Sequence, residues 1–175
     1  MRYYAFEERL RWSEGYLDGG IETILKDRIP GCYEIQKATE DSDRAGTDYW
    51  ALRRNLPPLS VDVKVRGTDW AERGEDDLAL ETWSVIGKKP GWTRDENKRT
   101  DYVLWYWADT SRFVLVSFPA LCRVFRKYWQ EWRATYKVAP QDSGAWQSEC
   151  VFVPRDVVMD RIKAWSCSKV NRDAA

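Results

Sequence analysis

Two short segments of this chain, residues 47–53 and 59–66, are rich in β-branched and aromatic side chains, a composition typical of β-strands. The residues between them, 54–58, include two prolines. A central strand cannot contain these prolines, because proline has no N–H for the hydrogen bonds of a sheet. We therefore predict two neighbouring strands joined by a loop, and a protein organised around a β-sheet.

Three charged side chains lie in these two segments, Asp48 in the first and Asp62 and Lys64 in the second. Alternate residues of an extended chain share a face, so Asp62 and Lys64 point the same way, and the neighbouring strand brings Asp48 alongside. A Mg²⁺ ion takes one or two carboxylates, a carbonyl oxygen, waters and substrate phosphate oxygens. Asp48, Asp62 and the Val63 carbonyl can supply the protein ligands, which leaves Lys64 to orient or deprotonate an attacking water and to stabilise the reacting phosphate.

These residues resemble the PD-(D/E)XK nuclease superfamily, particularly its small prokaryotic and phage-type members. That superfamily has an acidic residue in one strand and the pattern (D/E)-x-K in the next, and Asp48, Asp62 and Lys64 match those three places. Thr47 stands where many members have proline. The resemblance implies a restriction-endonuclease-like core with the element order α-β-β-β-α-β. It also implies a nuclease that hydrolyses phosphodiester bonds, with DNA as the first substrate to test, Mg²⁺ or Mn²⁺ as cofactor, and these three residues as the catalytic group.

Two alternatives stay open at this point. Asp62 and Lys64 are also typical of an exposed edge strand, because charged side chains there prevent pairing with other chains. A nuclease fold can equally be catalytically silent and act by binding a partner protein, as a phage-encoded inhibitor or an accessory subunit would. The 28 basic and 28 acidic residues give no general attraction to nucleic acid, and this balance suits a protein-binding surface.

The chain contains no histidine, which excludes Ser-His-Asp and Cys-His nucleophile pairs, histidine-based nuclease sites and Cys₂His₂ zinc sites. Any metal chemistry must then use carboxylates. The four cysteines, at positions 32, 122, 150 and 167, show no C-x-x-C spacing, which favours buried free thiols in a reducing compartment. There is neither a signal-peptide pattern nor an apolar run long enough for a membrane span, so we expect a cytoplasmic protein without a membrane partner.

The remaining elements follow from hydrophobic spacing and from the positions of Gly and Pro. Helical spacing occurs in 3–13 and around 21–25, where Pro30-Gly31 stops the helix. Strands are predicted at 78–86, 101–107, 113–118 and 150–153, and helices at 119–136 and 154–165. We predict an α/β (α+β) protein with one domain over 1–175. It has N-terminal helices in 1–30, a central mixed sheet of four or five strands within 45–118, and C-terminal helices and a strand in 119–170.

Further acidic residues are candidates for supporting roles. Glu81 lies in the predicted strand 78–86 and is a candidate metal ligand, although alternation does not decide which way it faces. Some superfamily members carry an upstream glutamate, a role that Glu34 or Glu40 can fill. Asp43 is typical of a turn or a cap. Asp101 opens a strand and is most simply a strand-end residue, with a supporting role behind the metal ligands as the alternative.

Two sets of basic residues are candidates for contacts with nucleic acid. One set lies in the two strands that carry the metal ligands, and the other lies on helix 119–136 opposite an apolar stripe; the residues are Arg53, Arg54 and Arg66, and Arg123, Arg126 and Lys127. Such a helical row can follow phosphates, although a solvated amphipathic helix has the same pattern. Eleven Trp and nine Tyr residues serve either core packing or base stacking. The aromatic segment around Trp105 and Trp107 is a candidate interface for a homodimer or a larger assembly.

Overall fold

The computed structural model describes residues 15, 20–39, 41–42, 46–142 and 146–173, and the predicted helix within 3–13 lies outside them. The chain divides into two units. The first comprises Met1–Asp69 and Arg99–Leu115, and the second comprises Trp70–Lys98 and Val116–Ala175. Each unit contains β-sheet together with helix, and the fold class is α+β, as predicted.

The helices and strands follow one another in this order along the described residues. The first unit contains α1 (Glu22–Arg28), β1 (Cys32–Lys37), β2 (Tyr49–Arg53), β3 (Leu56–Arg66), β6 (Tyr102–Trp107) and most of β7 (Phe113–Ser117). The second contains a 3₁₀ turn (Ala71–Arg73), β4 (Asp77–Val85), β5 (Lys89–Pro90), α2 (Phe118–Thr135), β8 (Val138–Asp142), β9 (Gln147–Pro154) and α3 (Arg155–Asp173). The sequence patterns do not indicate β1, β5 or β8, whereas the other strands and the three helices begin close to their predicted positions.

The first unit is built on a five-stranded mixed sheet of order β1-β2-β3-β6-β7. β1, β2 and β3 are antiparallel to one another, while β6 is parallel to β3, with Asp62 opposite Val103 and Lys64 opposite Trp105. The predicted mixed sheet of four or five strands is confirmed, and residues 113–118 join it as β7. Because β3 is a central strand, the alternative that places Asp62 and Lys64 on an edge strand is wrong.

The core of the first unit decides which face of β3 carries the charged residues. Helix α1 packs Leu25 and Ile29 into a buried cluster with Val61 of β3 and Leu104 of β6. Each fully buried side chain of this size contributes about 1.5–3 kcal/mol of hydrophobic stabilisation. Since successive strand residues point to opposite faces, burying Val61 in this cluster sends Asp62 to the other face of the sheet.

The loop predicted at 54–58 is wrong in its extent. Only Arg54 and Asn55 form the turn, where Asn55 has a φ of 57°, and β3 already begins at Leu56. The two prolines that follow lie in the strand, beside a register shift in the pairing with β2. Strand β6 begins opposite Val61, so this first part of β3 has a partner on one side only. A strand tolerates proline where the ladder is one-sided or bulged.

The second unit contains a separate antiparallel sheet of order β5-β4-β9-β8. The prediction that 78–86 belongs to the central sheet is therefore wrong, because β4 pairs with β5 and β9 and places Leu80 opposite Val151. Both of these side chains are fully buried. An apolar run identifies a strand but does not identify the strand with which it pairs.

Helix α2 has the predicted amphipathic pattern. Leu121, Cys122, Phe125 and Trp132 are buried, whereas Arg123, Arg126 and Lys127 are exposed. All four cysteines are free thiols; Cys122 and Cys150 are buried as predicted, and Cys167 is exposed. Burial raises the pKa of the Cys122 thiol to about 12. No helix within the described ranges is long and apolar enough to cross a membrane.

Candidate metal and catalytic site

The backbone of Asp48 is held between two strands immediately before β2 begins. Its N–H donates to the Val61 carbonyl at 3.0 Å, and its carbonyl accepts from the N–H of Ala38 at 2.8 Å. The residue that precedes it, Thr47, is only 2% exposed. These bonds fix the position from which the Asp48 side chain extends toward β3.

The Asp48 side chain reaches the backbone of β3. Its Oδ2 accepts a hydrogen bond from the N–H of Val63 at 2.6 Å. The N–H and C=O of one strand residue point to the same side, so the Val63 carbonyl also faces the side of β3 on which Asp48 lies. Asp48 and the carbonyl predicted as a metal ligand thus lie on one side of β3.

Asp62 and Lys64 form an ion pair on the face of β3 opposite the core. The Lys64 Nζ lies 2.8 Å from Asp62 Oδ1 and donates a hydrogen bond to it. Asp62 is only 7% exposed, and the Lys64 side chain is 31% exposed. The predicted shared face is confirmed, and the ammonium lies against one of the two carboxylates.

The electrostatics of the site show that the three side chains interact as a group. Burial raises the pKa of Asp48 to about 7, and the negative charge of Asp62 and a hydrogen bond between the two carboxyls act in the same direction. Burial of the Lys64 ammonium opposes its charge, but Asp62 and Asp48 together raise the pKa of Lys64. Near neutral pH, Asp48 therefore exchanges a proton while Lys64 stays charged.

The donor set determines whether a divalent cation fits here. Among the residues that the structure describes, no group of three or more Asp, Glu, Cys or His side chains lies close enough together to hold a metal ion. Mg²⁺ uses one or two protein carboxylates and fills its octahedron with carbonyl, water and phosphate oxygens. Asp48, Asp62 and the Val63 carbonyl fit a site of that kind, which depends on water and substrate for its remaining ligands.

The other candidate acids lie elsewhere or are engaged in local contacts. Glu81 lies in β4 of the second unit, where its Oε2 accepts from Ser84 Oγ at 2.6 Å and from the Trp92 N–H at 3.1 Å. Glu34 is exposed on β1 and accepts from Gln36 at 2.8 Å. Glu40 and Asp43 lie outside the described residues. Glu81 is thus bound to the turn that follows β5.

The candidate basic residues occupy three places. Arg66 ends β3 on the same face as Asp62 and Lys64. Arg53 and Arg54 lie at the far end of β2, about 20 Å along the strand from Asp48 at about 3.3 Å per residue. The expectation that they adjoin the metal ligands is therefore not met, since Arg53 Nε donates to the Pro57 carbonyl at 2.9 Å in the hairpin. The residues on α2 belong to the second unit, where Arg126 lies 3.9 Å from Glu96.

Sequence reasoning overlooked the polar contacts that hold the segments bearing the two aspartates. Thr47 Oγ1 donates to the Arg99 carbonyl at 3.1 Å, and Ser60 donates to the Asp101 carboxylate through both its N–H and its hydroxyl. One available signal was the position of a small hydroxyl residue directly before Asp48 and another two residues before Asp62. Asp101, predicted as a strand-end residue, does lie at the start of β6.

No family model, curated protein or solved structure matches this chain. The resemblance to the PD-(D/E)XK superfamily therefore rests on the residues themselves and on where the fold places them. Asp48 directly precedes β2, and Asp62 and Lys64 lie in β3, the next strand.

Proposed function

We propose that this protein is a divalent-metal-dependent nuclease that hydrolyses phosphodiester bonds, with DNA as the first substrate to test. The observation that carries the proposal is the convergence of Asp48, Asp62 and Lys64, which the charge interactions among all three express. Two like-charged carboxylates beside one ammonium leave an excess of negative charge. A divalent cation would neutralise that excess.

The order of the strands supports the same proposal. The antiparallel series β1-β2-β3, followed by a strand parallel to β3, fits the order α-β-β-β-α-β, with α1 as its first helix. One departure concerns the connection from β3 to β6. Residues 67–101 contain a 3₁₀ turn, β4 and β5 but no α-helix, so the second helix of that order is missing from this connection.

The mechanism assigns a role to each residue. Asp48, Asp62 and the Val63 carbonyl hold the metal and thereby fix one oxygen of the scissile phosphate. The metal supplies Lewis-acid stabilisation of phosphate charge and lowers the pKa of a bound water. A water attacks phosphorus, the bond to the leaving oxygen breaks, and that oxygen takes up a proton. Low exposure of Asp62 limits competing solvent around these groups.

Lys64 acts in this mechanism as a cation. Its raised pKa keeps the ammonium charged at neutral pH, which disfavours the role of general base. The ammonium lies 2.8 Å from Asp62 and can reorient toward a phosphate oxygen on which negative charge develops. Lys64 therefore stabilises the transition state, while deprotonation of the water depends on the metal.

A second function, that of a catalytically silent nuclease fold which binds a partner protein, is favoured by one observation. Tyr33 is 48% exposed and Leu56 is 53% exposed, and both lie near the β2–β3 hairpin of the first unit. Exposed large apolar side chains in one region are a feature of protein-binding surfaces. In this alternative, the Asp48 proton and the Lys64 ammonium neutralise the site without metal.

One experiment separates the two functions. The purified protein is incubated with supercoiled plasmid, single-stranded DNA and RNA in Mg²⁺, Mn²⁺ or Ca²⁺, and cleavage and the melting temperature are measured. The control is the Asp62→Asn variant purified identically, which reports any contaminating nuclease. Cleavage by wild type alone supports the nuclease. Neither cleavage nor metal-dependent stabilisation of wild type would favour the protein-binding alternative.

A further inference from the structure

Four polar residues outside the proposed mechanism lie next to the two aspartates. Thr47 precedes Asp48, Ser60 lies two residues before Asp62, and Thr100 and Asp101 lead into β6. Thr47, Ser60 and Thr100 are 2%, 5% and 8% exposed. Burying a hydroxyl group is unfavourable unless the group is hydrogen-bonded. The partners of these hydroxyls therefore show what their burial achieves.

Ser60 and Asp101 form a reciprocal set of hydrogen bonds. Asp101 Oδ2 accepts from the Ser60 N–H at 2.8 Å and from the Ser60 hydroxyl at 2.9 Å. The Asp101 N–H in turn lies 2.9 Å from Ser60 Oγ and 3.2 Å from the Ser60 carbonyl. These bonds extend the pairing of β3 with β6 beyond its first registered pair, Val61 and Tyr102. They fix β3 two residues before Asp62.

The same short segment also holds the chain that leads to Asp48. Thr47 Oγ1 donates to the Arg99 carbonyl at 3.1 Å, and Thr100 Oγ1 donates to the Gly46 carbonyl. Gly46 has a φ of 100°, a conformation that favours glycine. Residues 99–101 thus contact both strands that carry the acidic pair, and each contact lies within two residues of an aspartate.

We propose that residues 99–101, through their bonds to Gly46, Thr47 and Ser60, form a clamp that positions Asp48 and Asp62 for metal binding. Two carboxylates repel each other, so contacts elsewhere must hold them close together. The metal role of the clamp rests on the proposed function, whereas its mechanical role does not. Thr47 and Asp101 are accordingly positioning residues, which act through the aspartates and do not touch the metal.

The clamp differs in its consequences from two simpler roles of Asp101. A carboxylate that contributes charge to the metal is disabled equally by Asp101→Asn and Asp101→Ala. An ordinary strand-end contact lowers stability without changing the metal affinity of the folded molecules. A clamp is disabled by alanine and preserved by asparagine, because the amide oxygen still accepts both bonds from Ser60.

The test uses conservative and disruptive pairs in the full chain. The pairs are Asp101→Asn with Asp101→Ala, and Thr47→Ser with Thr47→Val. Thr110→Val is the matched control, because it removes a hydroxyl that donates to Asp69 at 3.0 Å in the same unit and touches neither aspartate of the site. The first readout is the amide proton shift of Val63 in metal-free protein, which reports the hydrogen bond to Asp48. The second is the affinity for Mn²⁺, measured by electron paramagnetic resonance of the free ion.

The clamp predicts that Asp101→Ala and Thr47→Val move the Val63 amide proton upfield and weaken Mn²⁺ binding about 10-fold or more, the usual loss when a residue supporting metal ligands is removed. Asp101→Asn, Thr47→Ser and Thr110→Val should stay close to wild type. If Asp101→Ala does not fold, the Thr47 pair decides alone.

Two outcomes overturn different statements. An unmoved Val63 amide in both Asp101→Ala and Thr47→Val overturns the clamp, whatever the metal affinity. Wild type that binds no Mn²⁺ overturns the proposed nuclease, while the Val63 shift still decides whether the clamp positions Asp48. Equal weakening of Mn²⁺ binding by Asp101→Asn and Asp101→Ala also overturns the clamp, because it assigns the effect to charge.

Discussion

The backbone N–H of Val63 donates a 2.6 Å hydrogen bond to the carboxylate of Asp48. Val63 is the middle residue of Asp62-Val63-Lys64, and its side chain packs against the core cluster on the other face of the sheet. The residue between the two charged positions therefore serves the site through its backbone and the core through its side chain. Any apolar residue that fits the core can fulfil both requirements.

Asp48→Asn is expected to stabilise the metal-free protein at pH 8 and to have little effect near pH 4. The pKa of Asp48 is raised from 3.8 to about 7, so the folded state binds more protons than the unfolded state between these values. Wild-type stability contributed by this group therefore falls as the pH rises from 4 to 7. At about 1.4 kcal/mol per pKa unit, the difference is on the order of a few kcal/mol.

Thermal melts of both proteins at pH 4 to 8 in a chelator give this measurement. Asparagine keeps the acceptor for Val63 and gains a donor toward Asp62, so geometry is preserved. A constant difference in melting temperature across the pH range would contradict the raised pKa. Adding Mn²⁺ should reverse the order of stability at pH 8, because only wild type then gains from metal binding.

Asp62→Asn is expected to destabilise the protein and to abolish metal-dependent cleavage. It removes the charged partner of the Lys64 ammonium, which lies 2.8 Å away and is mostly buried. Because that ammonium is partly solvated, we expect a loss of about 1–3 kcal/mol rather than the larger loss of a fully buried pair. Melting in chelator and plasmid cleavage are the measurements. Opposite stability effects of Asp48→Asn and Asp62→Asn at pH 8 would distinguish the two carboxylates.

Lys64→Met is expected to lower cleavage by roughly two or more orders of magnitude, the usual effect of losing one transition-state electrostatic contact. Metal binding should persist, because both aspartates remain. Single-turnover cleavage rates and Mn²⁺ affinity, measured side by side, separate these effects. Full activity in this variant would show that the D-x-K pattern is coincidental. Lys163→Met, which removes an exposed lysine from α3, is the matched control.

Arg66→Gln and Arg54→Gln are expected to affect nucleic-acid binding differently. Arg66 shares a face of β3 with Asp62, whereas Arg54 lies about 20 Å along the strands, or about six nucleotides at 3.4 Å each. The Arg66 change should weaken binding of all substrates, while the Arg54 change should weaken only longer ones. Each lost phosphate contact should reduce the slope of log K against log salt by about 1 from a wild-type value of about −3 to −5.

Titrations in Ca²⁺ with duplexes of increasing length provide the data. Equal weakening by both variants at every length would show that the two arginines do not occupy separate places along the substrate. Absence of any affinity for DNA or RNA at low salt would instead support the protein-binding function.

The local chemistry of the site follows from the sequence because it depends on neighbours a few residues apart. Alternation along β3 places Asp62 and Lys64 on one face, and the hydrogen bond between them is the consequence. The short connection between 47–53 and 59–66 makes β2 the neighbour of β3, which brings Asp48 alongside. These relationships need no information from distant parts of the chain.

Tertiary structure alone decided the partners of the more distant strands. The pattern of 78–86 identifies β4, but its pairing with β9, about 70 residues further along the chain, depends on which apolar faces meet. It likewise brought residues 99–101 against Thr47 and Ser60, more than 40 residues away. Hydrophobic periodicity is a local property, whereas strand partners and buried hydrogen bonds are selected by the packing of the whole unit.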